Sequence, residues 1–259
     1  MLKPIVTVLR RKIRHISLLL IVYHLLFSMP SFAQAAVIVF DRVTTEGTSV
    51  YLKVLTKGRF FSQGGKRVSF YLDGKLYGKT LTGGDGYGFL KYTPQERGMQ
   101  KIEVRTEQDK GRGHLLVLTR DEKVIVIEIE GSLKDTLYSE SRRTESRKAV
   151  SALSQSYKII YLGRFVGTDI SKTWLEKEKF PISAVLRWRG SQTFEYLKEN
   201  GVNLCVFIGS SDFFSESSEY FKDSYTFEKT DKGKSVENWS EIIKLLLNGE
   251  KNGKAPKGK

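Results

Sequence analysis

From Val37 to about Thr119, apolar and polar positions alternate in short runs: SVYLKVLT, RVSFYLD, YGFLKYT, MQKIEVRT and HLLVLT. A period of two sends every second side chain to one face, the pattern of strands that are half-buried. Between the runs stand Gly64-Gly65, Asp73-Gly74, Gly83-Gly84-Asp85-Gly86 and Gly98, residue types suited to the backbone angles of tight turns. Residues 36–120 are therefore expected to form an all-β sandwich of about seven antiparallel strands. Near Glu122 the period changes. The apolar run KVIVIEIEG is followed by a polar helical stretch around Glu140 to Leu153, and then by KIIYLG, a helix through Trp174, AVLRW and a helix through Leu197. NLCVFIG, a helix near Tyr220, SYTFE and a helix from about Val236 to Leu247 complete the series. Continuous apolar strands alternating with helices predict a Rossmann-like α/β domain over residues 121–247, with a mostly parallel sheet covered on both faces. Ligands of such sheets bind at the carboxyl ends of the strands.

The two ends of the chain have neither pattern. Residues 1–35 carry Lys3, Arg10, Arg11, Lys12 and Arg14, with no acid, ahead of an apolar run from Ile16 to Phe27 and small residues at Ser31, Ala33 and Ala35. This is the build of a secretory signal peptide, and the run is short for a permanent span, which takes about 20 apolar residues. Export to the periplasm or cell envelope is the expectation. Residues 248–259, NGEKNGKAPKGK from Asn248 onward, read as a basic disordered tail. Removing the five basic residues of the leader lowers the formal charge from +14 to +9. A basic surface favours anionic partners, and export points to phospholipid headgroups or envelope polymers, with no nucleic acid expected.

Composition narrows the chemistry. Cys205 is the sole cysteine, so no intramolecular disulfide can form, and its setting in NLCVFIG reads as a buried strand, where a thiol acts as a small hydrophobe. His114 is the one histidine left after the leader, and it falls in the β-domain. A Ser-His-Asp triad or a histidine-rich zinc site has almost nothing to be built from. What remains is acidic. KVIVIEIEGS delivers Glu128 and Glu130 to a strand end, two positions apart and on one side of the pleat, with Gly131 and Ser132 next. FIGSSD puts Asp212 at the end of the fourth strand. Converging carboxylates can hold a divalent cation or supply a nucleophile or base.

Two resemblances extend this picture. The stretch GGKRVSFYLDGKLYGKTLTGGDGYGFLKYTPQERGMQKIEVRTE resembles bacterial immunoglobulin-like modules of surface and envelope proteins, which act as spacers or adhesive units. Residues 122–245 resemble the haloacid dehalogenase (HAD)-like phosphatases, whose first motif reads hydrophobic-D-x-D-G-T-L. The similarity is to the branch of lipin-type phosphatidate phosphatases and the LNS2-like C-terminal domains of phosphatidylinositol-transfer proteins. Tyr161, Leu162 and Arg164 resemble its YLTAR strand end; Thr173, Trp174, Leu175, Phe180 and Pro181 its T--WL---GFP helix; and Gly209, Asp212 and Tyr220 its GN--TD---Y motif.

The resemblance implies a nucleophile position at Glu128, an acid–base position at Glu130 and a Mg2+ site formed by Glu128, Glu130 and Asp212. It implies a phosphate-binding set of Ser132, Gly163, Arg164, Arg189 and Lys198, with Gly163 standing where the family has a hydroxyl. The family's two aspartates are glutamates here, and each added methylene moves a carboxylate by more than about 1 Å, enough to cost on the order of 100-fold in rate. The expectation is thus a degenerate, pseudoenzyme-like domain that binds a phosphorylated ligand, such as an anionic phospholipid, without efficient turnover. The β-domain would display it and could meet an envelope partner. Two alternatives stand beside it: an active Mg2+-dependent phosphatase using Glu128, and a purely structural or adhesive envelope protein.

Overall fold

The computed structural model describes residues 36–59, 61–136, 139–165 and 167–248. The expected signal peptide and the basic tail after Asn248 lie outside the described residues. The alternating runs form two sheets. One is antiparallel, of β1 (Ala36–Phe40), β3 (Val50–Lys57) and β6 (Tyr87–Tyr92), in the order β1-β3-β6. The other contains β2 (Arg42–Thr45), β8 (Lys110–Leu118), β7 (Gly98–Arg105), β4 (Arg67–Leu72) and β5 (Lys75–Leu81), in that spatial order. Between them lies a core of Val39, Leu52, Val54, Val68, Phe70, Ile102, Val104 and Leu115. The Asp73-Gly74 pair closes β4 onto β5 with both residues at positive φ, 46° and 82°, the geometry that matches the twist of a two-residue hairpin.

The sandwich has eight strands where about seven were expected. The addition arises at Asp41, where the first strand breaks and the chain changes sheets: β1 pairs antiparallel with β3, while β2 pairs parallel with β8. Asp41 is buried at this corner and accepts hydrogen bonds from the backbone N–H groups of His114 (2.7 Å) and Val185 (2.8 Å).

The second half is a six-stranded, all-parallel sheet: β9 (Lys123–Glu128), β10 (Lys158–Gly163), β11 (Val185–Arg187), β12 (Asn203–Ile208), β13 (Asp223–Thr226) and β14 (Lys234–Ser235). Their spatial order is β11-β10-β9-β12-β13-β14. The helices are α1 (Ser146–Leu153), α2 (Thr168–Lys177), α3 (Gln192–Glu199), α4 (Phe214–Ser217) and α5 (Trp239–Ile243). Strand β9 is apolar on both sides because both sides are covered. Ile125 and Ile127 pack with Leu153, Trp174 and Trp239, whereas Val124 and Val126 pack with Phe194, Leu197 and Phe207.

That second apolar layer does not stop at the domain boundary. Val43, Leu116 and Leu118 of the sandwich belong to it, and the Tyr196 hydroxyl on α3 donates to Val43 O (2.9 Å) and accepts from Val43 N (3.1 Å). Thr45 N donates to Asn200 O at 3.2 Å. The two folds thus share packed, hydrogen-bonded surface.

Candidate functional site

In this sheet the strand order reverses at β9, with β10 and β11 on one flank and β12 to β14 on the other. The carboxyl ends of β9 and its two neighbours therefore frame the crevice where open α/β sheets bind ligands. Register places Glu128 beside Leu162 at the end of β10, and Ile127 beside Ile208 at the end of β12.

The sequence reading put Glu128 and Glu130 on one strand face; the structure corrects this. Strand β9 ends at Glu128, and Ile129–Leu133 winds into a single π-turn, closed by Lys134 N donating to Ile129 O (3.2 Å). The turn splits the two acids between the flanks. Glu128 Oε2 accepts from the backbone N–H of Ser210, beyond β12, at 2.6 Å. Glu130 accepts from the backbone N–H groups of Arg164 (3.1 Å) and Phe165 (3.4 Å), beyond β10. Both glutamates are buried, at 0% and 1% exposure. The chain comes close enough here that a side chain at Gly131 would collide with Ser210 and with the Glu128 carboxylate, so glycine is required at that position on steric grounds alone.

These carboxylates occupy the backbone donors that a strand-end anion would use. Burial pushes the Glu128 carboxyl up to about 7; Glu130 pushes the same way, and Ser210 and Arg164 oppose it. Its second oxygen, Oε1, is buried with no hydrogen-bond partner among the described residues. Burial, with one N–H donor to offset it, thus makes this carboxylate easier to protonate than an ordinary one.

The remaining residues of the expected site disperse. Asp212 lies just after β12, 68% exposed, and accepts from both Nη1 and Nη2 of Arg164 on one oxygen at 3.2 Å. The Arg164 guanidinium also lies 4.7 Å from the Phe165 ring centre and 5.0 Å from that of Phe213. Gly163 closes β10, with its α-carbon turned toward Ser171 Oγ on α2. Ser132 is buried and donates to Ile208 O at 2.9 Å, so its hydroxyl is spent tying the π-turn to β12. Lys198 sits in the last turn of α3, near the Tyr220 ring. Because that helix runs back to the amino ends of the strands, Lys198 does not join the site. Arg189 lies beyond β11, in the seam with the sandwich. Cys205 is half-buried against the apolar layer and not fully enclosed.

A Mg2+ ion held by Glu128, Glu130 and Asp212 does not fit this arrangement. The first two point to opposite flanks of β9 and are bonded to backbone donors, the third is paired with a guanidinium, and no three acids, histidines or cysteines among the described residues gather around one point. Sequence reasoning missed Ser210, whose N–H holds Glu128, and Glu228, whose Oε2 accepts from Ser211 N at 2.9 Å. The Ser210-Ser211 pair directly after the strand in FIGSSD was the available signal, since small residues at a strand end leave backbone donors open. No described helix is long and apolar enough to cross a membrane.

No protein-family model matches the chain, and no curated protein matches it. Solved structures match over the sandwich-sized share of the chain. The CARDB domain of PF1109 from Pyrococcus furiosus is 16% identical, with a TM-score of 0.27, over 33% of this chain and 94% of that one. The adhesin InvE of Yersinia pseudotuberculosis is 11% identical, with a TM-score of 0.28, over 34% of this chain and 32% of that one. A structure described as the IG27 protein domain is 13% identical, with a TM-score of 0.26, over 33% and 97%. The architecture itself defines the class: an immunoglobulin-like β-sandwich followed by an α/β domain on a parallel sheet.

Proposed function

We propose that this is an exported envelope protein whose α/β domain is a degenerate HAD-phosphatase-like module, binding a phosphorylated ligand such as an anionic phospholipid headgroup without turning it over. One observation carries this reading: the two acids at the expected catalytic positions are buried and engaged by backbone donors, while the cation beside them, Arg164, rests on the Phe165 and Phe213 rings and has the exposed Asp212 as its carboxylate partner. An ion pair at the surface is worth about 0–1 kcal/mol, so a phosphate dianion can take the place of Asp212 on the guanidinium through charge-assisted, forked hydrogen bonds. Phe165, 48% exposed, lies against the Arg164 guanidinium, an apolar group suited to the base of a lipid headgroup. The β-sandwich, in this reading, displays the module and meets any envelope partner.

The test is co-sedimentation of the chain from residue 36 onward with vesicles. Phosphatidate-containing vesicles should bind it and neutral vesicles should not, and Arg164→Glu should reduce the bound fraction at least fivefold. Equal binding to both vesicle types would discard the reading. So would Mg2+-dependent release of phosphate from an aryl phosphate that disappears in Glu128→Gln, which would restore the enzyme.

A further inference from the structure

A second concentration of positive charge lies away from Arg164, where the sandwich meets the α/β domain. A crevice of about 200 Å3 opens there between the Phe40–Arg42 corner and Lys53 of the sandwich and the segments that follow β10 and β11. Four cations line it, Arg42, Lys53, Arg187 and Arg189. The one acid in its wall, Asp41, is already committed to Lys172 (2.7 Å) and to the N–H groups of His114 and Val185. Among the described residues, none of the four cations forms an ion pair with a carboxylate.

Lys53 and Arg42 are held in place by aromatic rings and a backbone carbonyl, with no carboxylate among the described residues paired to either. Lys53 Nζ sits over the rings of Tyr87 (4.1 Å), Phe40 (5.1 Å) and Phe89 (5.5 Å). Burial, and then the nearby Arg189 and Arg42, hold its ammonium below the usual lysine range, with Asp85 opposing. Arg42 Nε donates to Tyr51 O (3.0 Å), and its guanidinium lies 5.5 Å from the Tyr196 ring centre. The backbone N–H of Arg189 donates to Thr193 Oγ1 at 2.9 Å, fixing the turn that carries the arginine. Thr168 and Gln192, the first residues of α2 and α3, also line the crevice, so two helices direct their positive ends toward it. Like charges gathered in one partly desolvated crevice cost free energy, and an anion entering between them removes that cost.

We propose that this interdomain crevice is a binding site for a compact phosphate group, free or terminal on a larger molecule, and that its occupancy clamps the two domains. The volume sets the class: at about 200 Å3 it lies below the roughly 300–1,000 Å3 of pockets for drug-sized ligands and suits a small oxyanion. The site is independent of Arg164 and of the strand-end reading above.

Calorimetric titration of the chain from residue 36 onward with inorganic phosphate, at ionic strength held constant with sodium chloride, tests the assignment. Saturable binding should weaken about tenfold or more in Arg189→Glu, the loss of a charge-assisted bond converted to affinity, and likewise in Lys53→Ala. Arg164→Glu should leave it within twofold. Arg187 and Arg189 are exposed, and a second variant, Arg187→Glu, guards against local misfolding at either one. Saturable phosphate binding combined with loss of phosphatidate-vesicle binding in Arg189→Glu would identify the group as a lipid headgroup; phosphate binding with vesicle binding unaffected would identify a soluble ligand. No saturable phosphate binding, binding unchanged by all three crevice substitutions, or binding lost only in Arg164→Glu would overturn the proposal. Vesicle binding that ignores Arg164→Glu would remove the strand-end reading and leave this one standing.

Discussion

At the centre of the parallel sheet's carboxyl edge, the protein supplies its own carboxyl acceptors. Glu128 and Glu130 reach sideways from the end of β9 and accept the backbone N–H groups of Ser210, Arg164 and Phe165. At the flank, at and beyond the end of β11, the side chains are cationic: Arg187 and Arg189 meet Arg42 and Lys53 across the domain seam, and the nearby carboxylate, Asp41, is turned into the floor toward Lys172. Both places use the same property of an open α/β sheet, donors and helix ends converging where the strands finish. What differs is side-chain reach. A glutamate at a strand end is long enough to fill the donors of the neighbouring strand ends, so the central crevice is satisfied from within. The seam presents four cations, and the acid in its wall, Asp41, is committed to Lys172, so their satisfaction comes from outside.

The largest expected effect falls on the floor of the seam. Asp41 is wholly buried with Lys172 beside it. Burial alone would raise its pKa, but hydrogen bonding to His114, Lys172 and Val185 N–H outweighs that and holds the carboxyl below the usual range. Asp41→Ala would leave Lys172 without a counter-charge and two backbone donors unpaired, a change expected to cost about 3–5 kcal/mol, read by urea denaturation. The sign of the pH dependence follows from the lowered value. The stabilisation is complete above the unfolded pKa and is lost as pH falls through the folded one, so wild type should lose stability on acidification and Asp41→Ala should lose less. A cost below about 1 kcal/mol would mean that the seam relaxes freely and that the cations above it are not held by a rigid floor.

At the centre the expected sign is reversed. The Glu128 carboxyl is raised to about 7 by burial, so between its ordinary value of about 4.5 and 7 the folded chain binds a proton that the unfolded chain does not. Stability from this group is present below about 4.5 and declines as pH rises through 7. Glu128→Gln keeps an acceptor for Ser210 N–H and removes the ionisation. It is expected to stabilise the protein at pH 8 by up to about 3 kcal/mol, with no gain at pH 4. Thermal unfolding at both pH values measures it. Equal effects at the two would show that Glu128 is solvated and that the centre is open to ligand after all.

Much of this contrast was present in the sequence, and the missing part has a physical reason. The alternating runs and the Asp73-Gly74 turn gave the sandwich, and the continuous apolar runs gave the parallel sheet, because burial on one or two faces writes itself directly into period. ExEGS and FIGSSD marked the right strand ends. What they could not indicate was direction: a π-turn at Ile129–Leu133 sends two acids of the same type to opposite flanks, and no local pattern distinguishes that from a strand continuing to Glu130. The seam was invisible for another reason. Arg42 and Lys53 are separated from Arg187 and Arg189 by more than 130 positions in the sequence, and only the docking of β2 on α3 brings them together. The role of Asp41 appears only once Lys172 and Val185 arrive from the other domain.

The smallest effect tests the rim that joins the two regions. Arg164 and Asp212 meet at 3.2 Å on a single carboxylate oxygen, with the acid largely exposed. A double-mutant cycle of Arg164→Ala and Asp212→Ala should give a coupling of about 0.2–1 kcal/mol at low salt, falling toward zero at 1 M, where the Debye length is about 3 Å. The single substitution of Arg164 should cost more than the coupling, because its guanidinium also covers Phe165 and Phe213; the cycle subtracts that packing term if the aromatic contacts do not depend on Asp212. A weak, salt-sensitive coupling makes Asp212 a cover that a phosphate can displace, leaving the centre closed to chemistry but its edge available to a ligand. A coupling above about 2 kcal/mol that survives salt would make the pair a lock. The centre would then be sealed on every side, and anion binding by this domain would have to occur at the seam alone.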